Sequence, residues 1–183
     1  MLAAGASTRM GQPKALLSIG EETVLEWLVE RIEKAGLSPV VVTRQELAFD
    51  CLSRLAGRPV VINPNPEAGR TGSLQVGLAH VLDAIGAKKR FGVIIAPVDR
   101  PGFSDETLAR LVAAEGCVKP AMGGRGGHPI RLTEAEVGAI MAASGSTPLN
   151  ELIQPAHFEV ADPHLHFNLD TPADAEALQG LVN

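Results

Sequence analysis

The sequence contains no tyrosine, and aromatic residues make up 3% of its 183 positions. A core must therefore be packed from Leu, Val, Ile and Ala, which supply most of the hydrophobic fraction of 45%. The sequence also has only two cysteines, Cys51 and Cys117, which stand far apart and form no C-x-x-C pair. The pattern favours buried thiols of a cytoplasmic protein over a disulfide.

Three further absences narrow the class of protein. The sequence has no run of about eighteen apolar residues, so no membrane span is predicted. It has no basic segment followed by an apolar one at its start, so we expect no secretory signal. Basic residues are in the minority, with a net charge of −5, and a nucleic-acid surface is not indicated. The length and composition predict one domain over residues 1–183.

Short apolar runs rich in β-branched residues alternate with segments of helical periodicity. This alternation predicts an α/β fold, a three-layer Rossmann-like arrangement with a mostly parallel sheet and helices on both faces. Ligands in such folds bind outside the carboxyl ends of the strands. The predicted helices cover 23–35, 46–55, 74–85, 105–115 and 133–143, with a short one after 147 and the last from 171. The predicted strands cover 39–43, 59–63, 91–96, 118–122, 157–160 and 166–169.

The first fourteen residues carry the clearest chemical signal. An apolar start turns at Gly5 and leads to a loop that offers Ser7, Arg9, Gly11 and Lys14. Glycines let the backbone approach a ligand, and the two cations differ, one a planar fork and the other a point charge. Such a loop can cradle phosphate oxygens. It matches neither G-x-x-x-x-G-K-[ST] nor G-x-G-x-x-G, and the plain alternative is a strand–loop–helix connection with surface cations.

The same stretch resembles a family signature, L-A-A-G-x-S-x-R-M-G-x-x-K, of the nucleotidyltransferases that activate sugars, isoprenoid precursors and molybdopterin. The matching positions are Leu2, Ala3, Ala4, Gly5, Ser7, Arg9, Met10, Gly11 and Lys14. The resemblance implies a fold of the nucleotide-diphospho-sugar transferase type. It also implies that the loop wraps the triphosphate of an NTP, while Arg9 and Lys14 neutralise charge as pyrophosphate leaves. Only Met1 to Ala3 precede the loop, so the first strand is short or begins before this sequence.

Asp99 follows the most hydrophobic predicted strand, in the segment Ala96-Pro97-Val98-Asp99-Arg100-Pro101. An acid in this position lies on the ligand edge of the sheet, and Mg²⁺ favours one or two carboxylates together with substrate phosphates. The resembling family carries an Asp-x-Pro element here as a metal ligand. The alternative is a turn aspartate before a proline.

A second acidic segment, Asn168-Leu169-Asp170-Thr171-Pro172-Ala173-Asp174, again places a carboxylate just before a helix. It resembles the family segment N-x-(N/D)-T-P-x-(D/E), which completes the metal site there. Either Asn168 or Asp170 is then the ligand, and we favour Asp170 because a carboxylate is the harder donor. The alternative is that Asp170 assists Thr171 in capping the last helix.

Gly72 and Ser73 precede the predicted third helix, where Ser73 or Thr71 would be its cap. The resemblance assigns this segment to the base and ribose of the nucleotide, whereas a plain helix cap explains Ser73 as well. Pro64 and Asn65 come shortly before it and are weaker candidates for the base pocket.

The run Gly126-Gly127-His128-Pro129 resembles the G-H-P segment of the molybdopterin branch, where it forms the acceptor side of the cleft. Gly127 and His128 are therefore candidate acceptor-binding residues, with Arg125 as an added phosphate contact; the alternative for His128 is a loop histidine. The remaining histidines near the C-terminus are expected at the surface, and a metal site at His164-x-His166 is the less favoured interpretation.

Together these features predict a Mg²⁺-dependent transfer of NMP from an NTP to a phosphorylated acceptor. The favoured acceptor is molybdopterin, with CTP or GTP as donor and a molybdoenzyme as candidate partner. One alternative is a sugar-1-phosphate nucleotidyltransferase. The other is a non-catalytic nucleotide-binding or partner protein, which would have no need of Arg9, Lys14, Asp99 and Asp170 together.

Overall fold

The protein is described from a computed structural model that covers residues 1–5, 10–86 and 91–182. The α-helices are α1 (Val24–Lys34), α2 (Ala48–Arg54), α3 (Arg70–Ile85), α4 (Asp105–Ala113), α5 (Glu134–Ala142), α6 (Leu149–Leu152) and α7 (Pro172–Val182). The strands are β1 (Ser18–Ile19), β2 (Glu22–Thr23), β3 (Val41–Arg44), β4 (Val60–Asn63), β5 (Val93–Ile95), β6 (Val118–Met122), β7 (Arg125–Gly126), β8 (Ile130–Leu132) and β9 (Ala156–Glu159). Short 3-10 segments cover Lys14–Leu16, Gln45–Leu47 and Pro66–Ala68.

The segment Met1–Ala3 joins two groups of strands. On one side β3 pairs in parallel with β4, and on the other β5 pairs with β8, which leads to β6 and its neighbours. Leu2 forms parallel bridges to both groups, with its N–H 3.1 Å from the Ala96 carbonyl oxygen and the Ala3 N–H 2.8 Å from that of Val42. Ala4 and Gly5 therefore lie at the carboxyl edge of β3 and β5.

The far half of the sheet is mixed in direction. β8 runs antiparallel to both β5 and β6, while β6 and β9 are parallel. The reversal follows the turn at Gly123 and Gly124, whose φ angles of 60° and 78° suit glycine. The Rossmann-like α/β class is confirmed, with two antiparallel strands, β7 and β8, that the sequence pattern did not locate.

Two hydrophobic clusters lie against the sheet. The first contains residues of α1, α2, α4 and α7, and the second contains residues of α3 and α5 with those of β5 and β8. The consecutive residues Ile95 and Ala96 belong to different clusters. Because successive side chains of an extended chain point to opposite faces, the clusters cover opposite faces of the sheet. Helices on both faces were predicted and are confirmed.

Helix starts follow the expected capping chemistry at several positions. Thr23 and Thr133 each form a capping box with the glutamate three residues later, and Ser104 accepts a hydrogen bond from the Thr107 N–H. The predicted helix over 74–85 is present as α3, but its predicted start was wrong, because the helix begins at Arg70 and neither Thr71 nor Ser73 caps it. The predicted strand at 166–169 was also wrong, since these residues lie in a turn and an irregular segment.

Both cysteines are free thiols, and Cys51 is fully buried while Cys117 is partly buried. Burial raises the pKa of both groups, so neither is an activated thiolate. Among the residues described, no helix combines the length and apolar character needed to cross a bilayer.

Candidate active site

A pocket of about 230 Å³ opens at the carboxyl edge of the sheet, between the front segment, the end of β5 and the start of α3. Most of the sequence-predicted nucleotide residues that the structure describes contribute to its wall. The lining residues are Leu2, Ala3, Ala4, Gly5, Lys14, Ala15, Leu47, Pro66, Gly69, Arg70, Ser73, Pro97, Val98 and Asp99.

The front loop is described in part. Ser7 and Arg9, two of its predicted phosphate contacts, lie outside the described residues. Gly11 is exposed, does not line the pocket, and takes a φ of 71°. This left-handed conformation favours glycine, and Lys14, three residues later, lines the pocket.

Lys14 makes a salt bridge that spans the length of the chain. Its Nζ lies 2.5 Å from Oδ1 of Asp170, and both side chains are largely buried. The other carboxylate oxygen of Asp170 accepts a hydrogen bond from Nδ2 of Asn168. The Asp170 N–H itself donates to the carboxylate of Asp174, which also receives the N–H of Thr171. Lys14 and Asp170 are therefore fixed at the pocket by a connected polar network.

The two predicted metal-ligand segments are held together by their backbones. The Leu169 N–H donates to the Asp99 carbonyl oxygen over 3.0 Å, and the Val98 N–H donates to the Leu2 carbonyl oxygen over 3.0 Å. Asp99, the front segment and the 168–170 segment thus converge at one edge. Oδ1 of Asn168 is buried and has no hydrogen-bond partner among the described residues.

This donor set fits a hard divalent cation. The part of the chain that the structure describes holds no group of three His, Cys, Asp or Glu side chains that would form a complete metal cage. Mg²⁺ uses one or two carboxylates and completes its octahedron with water and substrate phosphates. Asp99, Asp170 and the orphaned Asn168 oxygen match that pattern, whereas a zinc cage of nitrogen and sulfur ligands has no counterpart in the described residues.

The start of α3 forms the opposite wall. The positive end of a helix of 16 residues faces the pocket, and Arg70 adds a guanidinium at its first position. The Ser73 hydroxyl is engaged within the fold, since it accepts from Asn63 Nδ2 at 2.9 Å and donates to the Gly69 carbonyl oxygen. Gly72 lies outside the lining, and its N–H donates to the Gly145 carbonyl oxygen.

Arg70 was missed by the sequence reasoning. The available signal was its position just before Gly72 and Ser73, in a segment already assigned to the nucleotide by resemblance. Because the helix was predicted to begin several residues later, Arg70 was read as part of a loop.

His128 lies in the Gly-rich run beyond the end of β7. Burial, with the positive charges of Arg70 and Arg100, lowers its pKa to about 4, and the carboxylate of Asp99 opposes the shift. Its Nδ1 is buried without a hydrogen-bond partner among the described residues. Gly127 is anchored by its N–H to the Pro120 carbonyl oxygen over 2.8 Å. A neutral imidazole with an unused nitrogen therefore lies within electrostatic range of Arg70 and Asp99, which line the pocket.

The fold and the pocket define an α/β protein with a cleft at the carboxyl edge of its sheet, lined by the cationic side chains of Lys14 and Arg70. Residues 1–164 match the family described as MobA-like NTP transferase domain. The chain therefore belongs to this family.

Curated relatives carry two kinds of name. The chain is 32% identical over 113 residues to a molybdenum cofactor guanylyltransferase of Xanthomonas euvesicatoria, which covers 62% of this chain and 52% of that protein. It is also 32% identical over 117 residues to the nicotine blue oxidoreductase of Paenarthrobacter nicotinovorans, over 62% and 54% of the two chains. The chain spans about half the length of the curated relatives it matches.

Solved structures support the fold along nearly the whole chain. Rv0371c of Mycobacterium tuberculosis H37Rv superposes with a TM-score of 0.80 and 25% identity, covering 98% of this chain and 94% of that one. A second structure of Rv0371c, described as a complex with manganese, superposes with a TM-score of 0.74 and 21% identity over 98% and 95% of the two chains.

Proposed function

We propose that this chain is a metal-dependent nucleotidyltransferase that transfers NMP from an NTP to the phosphate of an acceptor and releases pyrophosphate. The observation that carries the proposal is that Lys14 and Asp99 line one pocket, while the 168–170 segment is held to them by the Lys14–Asp170 salt bridge and the hydrogen bond from the Leu169 N–H to the Asp99 carbonyl oxygen. The chemistry needs cations for a triphosphate and hard oxygen donors for a metal, and the described site contains both.

Asp99 and Asp170 would hold Mg²⁺. Oδ1 of Asn168, which is buried without a hydrogen-bond partner among the described residues, would be a further oxygen ligand. When bound, the ion would neutralise phosphate charge as the new bond forms. The manganese complex of Rv0371c supports divalent-ion use in a protein of this fold. In this chain the salt bridge from Lys14 fixes the Asp170 carboxylate in place before any ligand arrives.

Lys14, Arg70 and the start of α3 would bind the triphosphate. Two cations and the positive helix end lie on the walls of one pocket, so charge on the departing pyrophosphate is stabilised without rearrangement of the protein. An oxygen of the acceptor phosphate attacks the α-phosphorus, and the bond to pyrophosphate breaks. Because the acceptor phosphate is already an anion, no strong general base is needed, and positioning carries most of the catalysis.

The acceptor would approach from the His128 side of the cleft. Its neutral imidazole provides a nitrogen that is unused in the described fold. The resemblance of the Gly127-His128 segment to the molybdopterin branch, together with relatives named molybdenum cofactor guanylyltransferase, supports molybdopterin as acceptor and GTP as donor, with CTP as the second choice. A cytoplasmic location and a molybdoenzyme partner go with this assignment.

The experiment measures pyrophosphate release by the purified chain in the presence of Mg²⁺ or Mn²⁺. Each of CTP, GTP, UTP, ATP and dTTP is combined with either molybdopterin or one of a set of sugar 1-phosphates. Release that requires both an NTP and molybdopterin is expected. Release with an NTP and a sugar 1-phosphate, but not with an NTP and molybdopterin, would keep the proposed reaction and change the proposed acceptor to a sugar 1-phosphate. No release with any pair, although the protein binds NTP, would contradict the proposed reaction.

A further inference from the structure

A pair of nitrogen-bearing side chains lies outside the pocket, on strands β6 and β9. Lys119 and His157 are directly opposite each other in the parallel pairing of these strands. Directly opposed residues project from the same face of a sheet. Neither side chain forms a hydrogen bond or ion pair with another described residue, and His157 is exposed while Lys119 is partly buried.

Gly126 on β7 has no side chain, and the side chains of Lys119 and His157 end in the space above its backbone. A Cβ at this glycine would lie 2.9 Å from Lys119 Nζ and 2.9 Å from His157 Nε2. Any larger residue would push the two nitrogens away. Two nitrogen donors thus point over one bare stretch of backbone, an arrangement that suits an oxyanion with several acceptor oxygens.

The pair faces away from the helix that covers the opposite side of these strands. Arg110 of α4 stacks over the ring of Phe158 at 5.2 Å, so Phe158 points towards α4. Successive residues of a strand alternate, so His157 and Glu159 point to the other face. The Glu159 carboxylate accepts the Gly124 N–H over 3.1 Å, so it holds the turn that precedes Gly126.

The pair is continuous with the acceptor side of the cleft. Gly126 is two residues before His128, and the charge of Lys119 contributes to the lowered pKa of that histidine together with those of Arg70 and Arg100. Asp99 acts on the same imidazole in the opposite sense. His128 therefore lies within electrostatic reach of both the candidate metal ligand and Lys119.

We propose that Lys119 and His157, above Gly126, form a subsite for the phosphate monoester of the acceptor. The subsite would hold the phosphate of the acceptor on the His128 side of the cleft, from which the acceptor approaches the nucleotide. This inference rests on the proposed nucleotidyl transfer for its role, whereas phosphate binding at the pair is measurable without any turnover.

The binding test follows the ring signals of His157 by NMR while inorganic phosphate or methyl phosphate is added. Saturable shifts are expected in the unaltered chain and their loss in Lys119→Met and in Gly126→Ala. Gly126→Ala is a sharp probe, because its added methyl meets flexible side-chain ends. Lys34→Met and Gly138→Ala are matched controls, since Lys34 is exposed and a Cβ at Gly138 meets nothing within 4 Å.

Competition identifies the occupant of the subsite. Addition of an NTP without acceptor is expected to leave the phosphate-induced shift of His157 in place, because the nucleotide occupies the pocket at Lys14. Displacement of phosphate by the NTP would assign the pair to the nucleotide and overturn the proposal. Absence of a saturable shift with either phosphate compound would also overturn it.

The kinetic test separates this role from a structural one. Lys119→Met and Gly126→Ala are each expected to raise the acceptor KM about tenfold, while the KM for NTP stays unchanged. Equal effects on both KM values would contradict the assignment. If the chain has no transferase activity but His157 still binds phosphate and both variants lose it, the subsite stands and the proposed reaction fails.

Discussion

The two sides of the cleft differ in how their polar groups are satisfied. On the side proposed for the nucleotide, Lys14 is paired with Asp170, and the Ser73 hydroxyl bridges Asn63 and the Gly69 carbonyl oxygen. On the side proposed for the acceptor, Nδ1 of His128 is buried without a partner among the described residues, and Lys119 forms no ion pair with them.

The difference separates groups that build the site from groups that are available to a ligand. A polar network that is already complete fixes geometry before binding, and its loss leaves buried groups unpaired. A buried polar atom without a partner is costly in the free protein and gains most when a ligand arrives. The comparison leads us to expect different consequences from substitutions on the two sides.

Asp99→Asn is expected to have the largest effect. Removal of one carboxylate from the candidate metal site should lower kcat by roughly a thousandfold, because charge neutralisation in the transition state is lost. NTP binding should change far less, so turnover and nucleotide affinity are both measured. Asp83→Asn, at an exposed position of α3, is the control. Near-normal turnover in Asp99→Asn would remove the metal assignment.

Lys14→Met is expected to come next, with a loss of NTP affinity of about a hundredfold measured by titration calorimetry. The variant removes a cation from the pocket wall together with the Lys14–Asp170 salt bridge at 2.5 Å. Lys34→Met, an exposed lysine of α1, controls for the change in net charge. An unchanged NTP affinity would show that Lys14 serves the fold and not the ligand.

The burial of His128 predicts a pH dependence of stability. Its folded-state pKa of about 4 is below the unfolded value of 6.5, so the unfolded chain binds the extra proton first and stability falls with decreasing pH across that window. Between pH 7 and pH 5 the imidazole should remove about 2 kcal/mol from the free energy of unfolding. Urea unfolding of the native chain and of His128→Asn at pH 7 and pH 5 measures the free energy of unfolding of each. An equal loss of unfolding free energy in the two proteins between these pH values would contradict the prediction.

Ser73→Ala is expected to have the smallest effect on function. The buried Asn63 amide loses its partner at 2.9 Å, so the free energy of unfolding should fall by about 1 kcal/mol. NTP affinity should change by less than about threefold, because the hydroxyl is engaged within the fold. Ser53→Ala, at an exposed serine, is the control for unfolding. A large loss of NTP affinity at unchanged stability would place the hydroxyl on the ligand.

Local signals in the sequence predicted much of the fold. Helical periodicity over 23–35 predicted α1, and in the structure a capping box between Thr23 and Glu26 forms its start. The apolar β-branched runs likewise identified β3 and β4. The start of α3 was misplaced because Gly69, with a φ of 117° and no side-chain cap, gives no positive signal for a helix N-terminus.

Long-range pairing limited the prediction of the site. The front motif pointed to Lys14, and the acidic segment near the C-terminus pointed to Asp170, but their contact spans 156 positions. Lys119 and His157 meet through the register of β6 and β9, which no local pattern specifies. Ser7 and Arg9 lie outside the described residues, so their predicted phosphate contacts stay predictions.

The most direct test of the central claim is the thermal shift of the chain with CTP, GTP, UTP, ATP and dTTP, each with and without Mg²⁺. A ligand at a hundred times its Kd stabilises the native state by about 2.7 kcal/mol, which corresponds to several degrees. We expect one triphosphate to raise Tm by several degrees in a Mg²⁺-dependent manner, and we expect that triphosphate to be GTP. No shift with any triphosphate at millimolar concentration would contradict the account, because the pocket at Lys14 would then not be a triphosphate site.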